Sequence, residues 1–436
     1  MDQRLRPLRL ALTLAFLAAA AVVLWRWLDS EPGPQVPVAE TALTGSWELD
    51  LAGMSAQQRE RLAAELSLPY SSGSQAASGR SGVVFRDPQR SAPGLNFYVS
   101  GHGPEALLMD ATGRTLHRWR MPFERAFPGR PRSGQTSFWR RAILLPDGSV
   151  VALFQGSGLV RVDATSHLVW TQPGVFFNHL TLGADGHIYT IVKDPRQLPE
   201  LRPAPVLEDF IAVLDPADGH LLRRISLLEA LRRSPYQDLL SEAVDYADIF
   251  HTNTVWRLDG DAAATVPAFA AGNLLVSLRE LDTVAVLDPQ GERFLWAWRG
   301  PWHRQHQPVL LPDGQLLLFD NRGNDGQARL LRLDPASRRV VWQFPPAGQP
   351  PLRSMEAGSC QLLANGNYLV TESSRGRAFE LDPGRGEVVW EFLSPHRAGD
   401  RRQLVATLFE VVRLTSVPAA LGVGAATGLS PERPGD

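Results

Sequence analysis

One stretch, residues 306–342, constrains the fold more than any other. An apolar run at 309–311 ends at the turn Pro312-Asp313-Gly314, and a second run follows at 316–319. A third, at 330–333, ends at Asp334-Pro335 and leads into Val340-Val341-Trp342. Short apolar runs divided by tight Gly, Asp and Pro turns predict an antiparallel meander. The pattern recurs along the chain. A first, irregular unit reads GVVF, LNFYVSG, ALLMDATG, TLHRWRM from Gly82; others end at Trp170, Ile225, Trp298, Trp342 and Phe392. Units of about 40 residues with four short strands each are the signature of a propeller blade. Six units predict an all-β fold, a six-bladed β-propeller over 82–414. Such a ring needs a terminal strand to close it, and both 403–414 (QLVATLFEVVRL) and the segment at 47–51 qualify.

Outside the repeats the chain changes character. Arg4, Arg6 and Arg9 precede the uncharged run LALTLAFLAAAAVVLW, closed by Arg26. With its flanks, 8–28, this reaches the ~20 residues that cross a bilayer. Cations before it and few after it orient the N-terminus inside. Residues 1–28 are therefore an N-terminal membrane anchor, with a cleaved signal peptide as the alternative. The propeller is expected on the periplasmic or extracytoplasmic side of the cytoplasmic membrane. Residues 29–81 form a tether with a short helix near 55–66. The insert 227–249 breaks the β pattern and reads as two short helices around Pro235, and 415–436 make a C-terminal tail. A net charge of −2 carries no basic patch, so no nucleic acid is expected as a partner. A single cysteine, Cys360, excludes an internal disulfide and a cysteine-based metal cage.

Aligned on their turn glycines (148, 186, 314, 366), the units carry Arg140, Asn178, His306 and Gly358 eight residues earlier; His251 heads the fourth. These positions open the innermost strands, so their side chains converge on one mouth of the central channel. Bland readings stand beside this one. The Asp-Pro pairs at 215, 288, 334 and 382 are turn chemistry, Trp170, Trp296, Trp342 and Trp390 are core, and Cys360 is a small buried filler. His303 is a rim residue, and Arg279 and Arg329 are partners for acids such as Asp282 or Asp320.

His251-Thr-Asn253-Thr-Val with Ser277-Leu-Arg279-Glu-Leu-Asp282 resembles the histidine-asparagine and arginine-bearing strands of bacterial arylsulfotransferases. Gln305-His306-Gln-Pro, Leu311-Pro-Asp-Gly314, Phe319-Asp320-Asn321 and Gly358-Ser-Cys-Gln361…Asn365-Gly366-Asn367 resemble further elements of that family. The resemblance covers 245–395 well and 82–225 only as blades. It implies a periplasmic propeller that moves a sulfuryl group from an aryl sulfate to a phenol, with no cofactor and no metal. By that resemblance His306 and His251 are the catalytic candidates; Arg279, Arg329, Asn253, Asn321 and Arg140 are candidates for holding substrate. The partners it implies are phenolic donors and acceptors. The sequence departs from the family pattern at Gly358–Gln361, a late-blade strand where a histidine is expected and none stands. The alternative is a non-catalytic, membrane-tethered binding or scaffold propeller.

Overall fold

The computed structural model describes residues 72–243, 247–323, 326–399, 401–423 and 431–432. The apolar run at 8–28, the helix expected near 55–66 and the segment at 47–51 lie outside these residues. Among the described residues no helix is long and apolar enough to cross a membrane.

Alternating apolar runs and Asx turns give antiparallel sheets. In chain order of their innermost strands, sheet 2 is Arg141–Leu144, Val150–Phe154, Gly158–Val162 and Leu168–Pro173; sheet 3 is Phe176–Leu182, Ile188–Arg196, Val206–Leu214 and Leu221–Ser226. Sheet 4 is Thr252–Arg257, Leu274–Leu278, Thr283–Asp288 and Arg293–Arg299; sheet 5 is His306–Leu310, Leu316–Asp320, Arg329–Asp334 and Arg339–Phe344. The turns are made as the Asp-Pro pairs predict: Asp215, Asp288, Asp334 and Asp382 each accept a hydrogen bond from the backbone N–H two residues on.

The chain ends correct the reading of the first unit. Gly82–Arg86 does not start the first sheet. It pairs with Glu387–Leu393 as the outermost, fifth strand of sheet 6, whose inner strands are Ser359–Leu362, Tyr368–Glu372 and Arg377–Asp382. Sheet 1 takes Leu95–Ser100, Glu105–Met109 and Thr115–Arg120 from the N-terminal side, and its innermost strand, Leu408–Leu414, from the C-terminal side. Of the two closing segments considered, the C-terminal one does the pairing. The exchange completes sheet 1, which draws only three strands from the N-terminal side, and ties each chain end into the sheet of the other. The inner strands pack in sequence from sheet 2 to sheet 6 and on to Leu408–Leu414. Leu95–Ser100 packs on Arg141–Leu144, so the cycle of contacts closes as a propeller-like ring.

Core side chains fill the spaces between sheets, and indoles fasten one sheet to the next. The Trp119, Trp170 and Trp390 indole N–H groups donate to the carbonyls of Gly148, Pro216 and Ala111, each in a turn of the following sheet. Trp342 is only part-buried, unlike the other three tryptophans read as core. The insert forms helix Leu227–Arg232, capped by Ser226 Oγ on the Glu229 N–H at 2.9 Å, then 3-10 and α turns over Gln237–Ala243. Leu227, Leu228, Ala230 and Leu231 seal the gap between sheets 3 and 4. Beyond 414, Val417 and Leu421 pack in the core between sheets 1 and 2.

Because Trp390 is fully buried and bonded across a sheet boundary, Trp390→Ala should lower unfolding stability by about 3–5 kcal/mol. Chemical denaturation followed by fluorescence checks it; a loss within the scatter of surface substitutions contradicts the packing described.

Candidate functional site

At the heads of three successive inner strands the backbone leaves the ladder. Asn178 (φ +56°), His251 (+44°) and Gln307 (+47°) are left-handed, beside register shifts in sheets 3, 4 and 5. Asparagine and, less often, histidine adopt this conformation, but glutamine is strained there. Bulges of this kind re-aim side chains, and here they fall where the sequence places the channel mouth.

His306 is the best-defined member. It is buried, and its Nδ1 lies 2.6 Å from Asn321 Oδ1 and 3.1 Å from the Arg304 carbonyl. The orientation of the Asn321 amide is fixed, because its Nδ2 donates to the carbonyls of Ser354 (2.7 Å) and Ala357 (2.9 Å). Both atoms facing Nδ1 are therefore acceptors, and Nδ1 carries the proton. Nε2 is left with its lone pair and, among the described residues, no hydrogen-bond partner. Burial pushes the His306 pKa down to about 3, with Arg279, Arg140 and His251 adding to the effect against the pull of Asn321. The ring is neutral at pH 7.

His251 is arranged differently. Its Nδ1 lies 2.6 Å from Asp248 Oδ2, and its backbone N–H donates to Asp248 Oδ1 at 3.1 Å. Burial lowers its pKa to about 3 despite Asp248, and Arg279 and Lys193 lower it further. That His251 and Arg279 both act on His306 puts all three at one end of the channel. Arg279 is in contact with Glu280, which also takes Arg304 at 2.8 Å. The Arg140 guanidinium lies 4.7 Å from the centre of the Phe409 ring and adds positive charge near both His306 and His179.

The remaining predicted residues serve the frame. Asn253 Nδ2 donates to the Gln305 carbonyl at 2.7 Å, tying sheet 4 to sheet 5. Asn321 acts on His306. Arg329, on the third strand of sheet 5, pairs with Asp320 at 2.9 Å and donates to the Pro301 carbonyl. Asp282 pairs with His303 at 2.7 Å.

Sequence reasoning missed Glu410, Gln307, Lys193, Asp209 and Asp248. Glu410, on the closing strand, takes Arg141 at 3.0 Å and Gln307 Nε2 at 2.5 Å, bridging sheets 1, 2 and 5 across the channel. The available signal was a charged residue inside an apolar run, LFEVVRL for Glu410 and IYTIVKDP for Lys193, since such residues are seldom buried unless paired. A cavity of about 310 Å³ lies along the later halves of the inner strands, lined by Trp256, Leu258, Val309, Cys360 and Val411 among others. It reaches towards the histidine end at Gln307, Ser359 and Glu410.

The depressed histidines make stability depend on pH. A base whose folded pKa lies near 3, against an ordinary 6.5, contributes stability that is full above 6.5 and is lost as pH falls towards 3. His251, His306 and His396 all act in this sense. The melting temperature should therefore fall steadily from pH 7 to pH 4, and less so in His306→Gln; calorimetry across that range checks it.

Comparison with known proteins bears on these findings at two levels. The chain is similar in shape to a protein of unknown function from Bacteroides caccae (12% identity, TM-score 0.47, 73% of this chain and 98% of that one). It is also similar to a streptogramin B lyase (12%, 0.43, 78% and 95%) and to a catalytically inactive virginiamycin B lyase from Staphylococcus aureus (11%, 0.41, 72% and 89%). Nothing about chemistry follows from likenesses of this size. No curated protein matches the chain significantly. Residues 141–395 match the family described as Arylsulfotransferase (ASST). That match takes in more than half of the sequence, and the chain belongs to the arylsulfotransferase family.

Proposed function

We propose that this six-bladed propeller transfers a sulfuryl group from an aryl sulfate to a phenolic acceptor through His306. The observation that carries the reading is the locked ring: Asn321 holds the proton on Nδ1, so Nε2 is a neutral, unprotonated nucleophile. In the first half-reaction the Nε2 lone pair attacks sulfur, the sulfur–aryl oxygen bond breaks, and the electron pair leaves on the phenolate. In the second, an acceptor phenol attacks the same sulfur, loses its proton, and the nitrogen–sulfur bond breaks to restore His306. Arg279 and Arg140 supply positive charge for the sulfuryl oxygens, a role that counts most where charge builds in the transition state. The missing histidine at Gly358–Gln361 is compatible with this, because the strand of sheet 5 already supplies the nucleophile.

His306→Ala should abolish phenol release and leave the far-ultraviolet circular dichroism unchanged. Asn321→Ala, which frees the ring to adopt the wrong tautomer, should lower kcat by about 10–100-fold, the usual range for losing a partner that orients a ligand or base. The assay is turnover of a chromogenic aryl sulfate with a phenol acceptor, together with mass spectrometry for a sulfo adduct on His306. No turnover and no adduct across several donors would leave a non-catalytic binding propeller in its place.

The apolar run at 8–28 supports holding this propeller outside the cytoplasmic membrane by an N-terminal span. A reporter active only in the cytoplasm, fused after residue 60, should be silent; activity there reverses the topology.

A further inference from the structure

The helical insert between sheets 3 and 4 is left unexplained by the transfer reaction. Its last residues return to the propeller: the Leu207 N–H donates to the Ala247 carbonyl at 2.7 Å, and Leu207 bridges to Asp248. This brings Asp248 against three groups. Its Oδ2 faces His251 Nδ1, while Oδ1 takes the His251 backbone N–H and the Lys193 ammonium. Lys193 is buried in the strand Ile188–Arg196 and also pairs with Asp209 at 3.1 Å. Asp209 in turn accepts the Thr252 N–H at 2.6 Å. Asp248 and Asp209 thus take the two consecutive N–H groups at the left-handed turn where His251 stands, and Lys193 ties the two carboxylates together.

We infer that the insert exists to deliver Asp248, which with Lys193 and Asp209 fixes the His251 proton on Nδ1 and makes His251 Nε2 the acceptor of the proton released by the attacking phenol. Asp248, Lys193 and Asp209 are positioning residues; His251 is the group that takes the proton. The role in turnover rests on the sulfuryl-transfer reading, and the tautomer does not. In the step concerned, the acceptor O–H bond breaks as its oxygen bonds to sulfur, the proton moves to His251 Nε2, and the nitrogen–sulfur bond at His306 gives its pair back to nitrogen. His251 then releases the proton to water, which its part-buried ring reaches. The groups facing His251 support this. Lys193 and His251 hold the Asp248 carboxyl well below the usual range despite its burial, so it remains an acceptor. Arg279 and the neutral His306 also lie within electrostatic reach of His251. Burial instead pushes the Asp209 carboxyl up against the pull of Lys193, whereas Asp248, behind the imidazole, is held down.

The experiment separates the two half-reactions in the full chain. Rapid mixing with a chromogenic aryl sulfate reads the phenol burst; adding a phenol acceptor reads discharge of the sulfo-enzyme. Asp248→Asn presents an amide donor to Nδ1 and forces the histidine proton to Nε2. It should leave the burst within about twofold of wild type and slow discharge on the order of 10²–10⁴-fold. A second readout needs no activity: ¹⁵N NMR of histidine-labelled wild-type protein at pH 7, with His251 assigned by loss of its signals in His251→Gln. Wild type should show a protonated Nδ1 and an unprotonated Nε2. A wild-type His251 protonated on Nε2, or an Asp248→Asn variant that discharges at the wild-type rate or loses burst and discharge equally, overturns the proposal. If wild type gives no burst with any aryl sulfate, the transfer reading fails, and the tautomer alone decides the relay.

Discussion

The pairing of Leu408–Leu414 with Leu95–Ser100 is the contact on which the rest of the molecule depends. It joins segments more than 300 residues apart, and the entropy of closing so long a chain has to be offset by many weak terms acting together. The ladder supplies some, the buried side chains of Phe409 and Val411 supply others, and the tryptophan-to-carbonyl bonds fasten each boundary in turn. The outer strand Gly82–Arg86 seals the opposite edge of the neighbouring sheet, so the ring is interlocked from both chain ends. Closure also builds the site. Glu410 sits on the closing strand, and its carboxylate is the buried partner of Arg141 and Gln307. A buried pair of this kind is a weak source of net stability but expensive to break, because a lone buried ion remains. The channel is therefore organised only in the closed ring.

Electrostatics at the channel mouth follows one rule: burial keeps imidazoles neutral, and hydrogen-bond acceptors choose their tautomers. His306 is held by an amide oxygen and His251 by a carboxylate. The difference matters chemically. An amide partner orients a ring and stabilises its cation only through a dipole, which suits a nucleophile. A carboxylate partner also stabilises the imidazolium, which suits a proton carrier. The two rings, within electrostatic reach of one another, are thus differentiated by what stands behind them. The left-handed residues at the strand heads show the backbone strained to bring these groups together.

The sequence by itself determined the repeat, and with it the class of fold. Turn glycines, Asp-Pro pairs and periodic tryptophans act locally, through backbone conformation and strand-length hydrophobic runs, so they are legible without any tertiary contact. The same local logic marked His251 and His306, because position before an inner strand is a property of the repeat; Asn321 was marked only by the family resemblance. What only the tertiary structure decided is every relation between distant strands. The assignment of Gly82–Arg86 to the last sheet depends on where the ring closes, and nothing in GVVFR states it. Asn321 looks like a substrate ligand in sequence; the carbonyls of Ser354 and Ala357 make it the clamp on His306. In sequence Arg329 reads equally as an anion ligand or as a partner of Asp320; the ladder, which sets the two opposite each other, decides for the pair. Lys193, Asp209 and Asp248 come together from two strands and an insert. Such a cluster is set by packing in three dimensions, and sequence spacing carries no record of it.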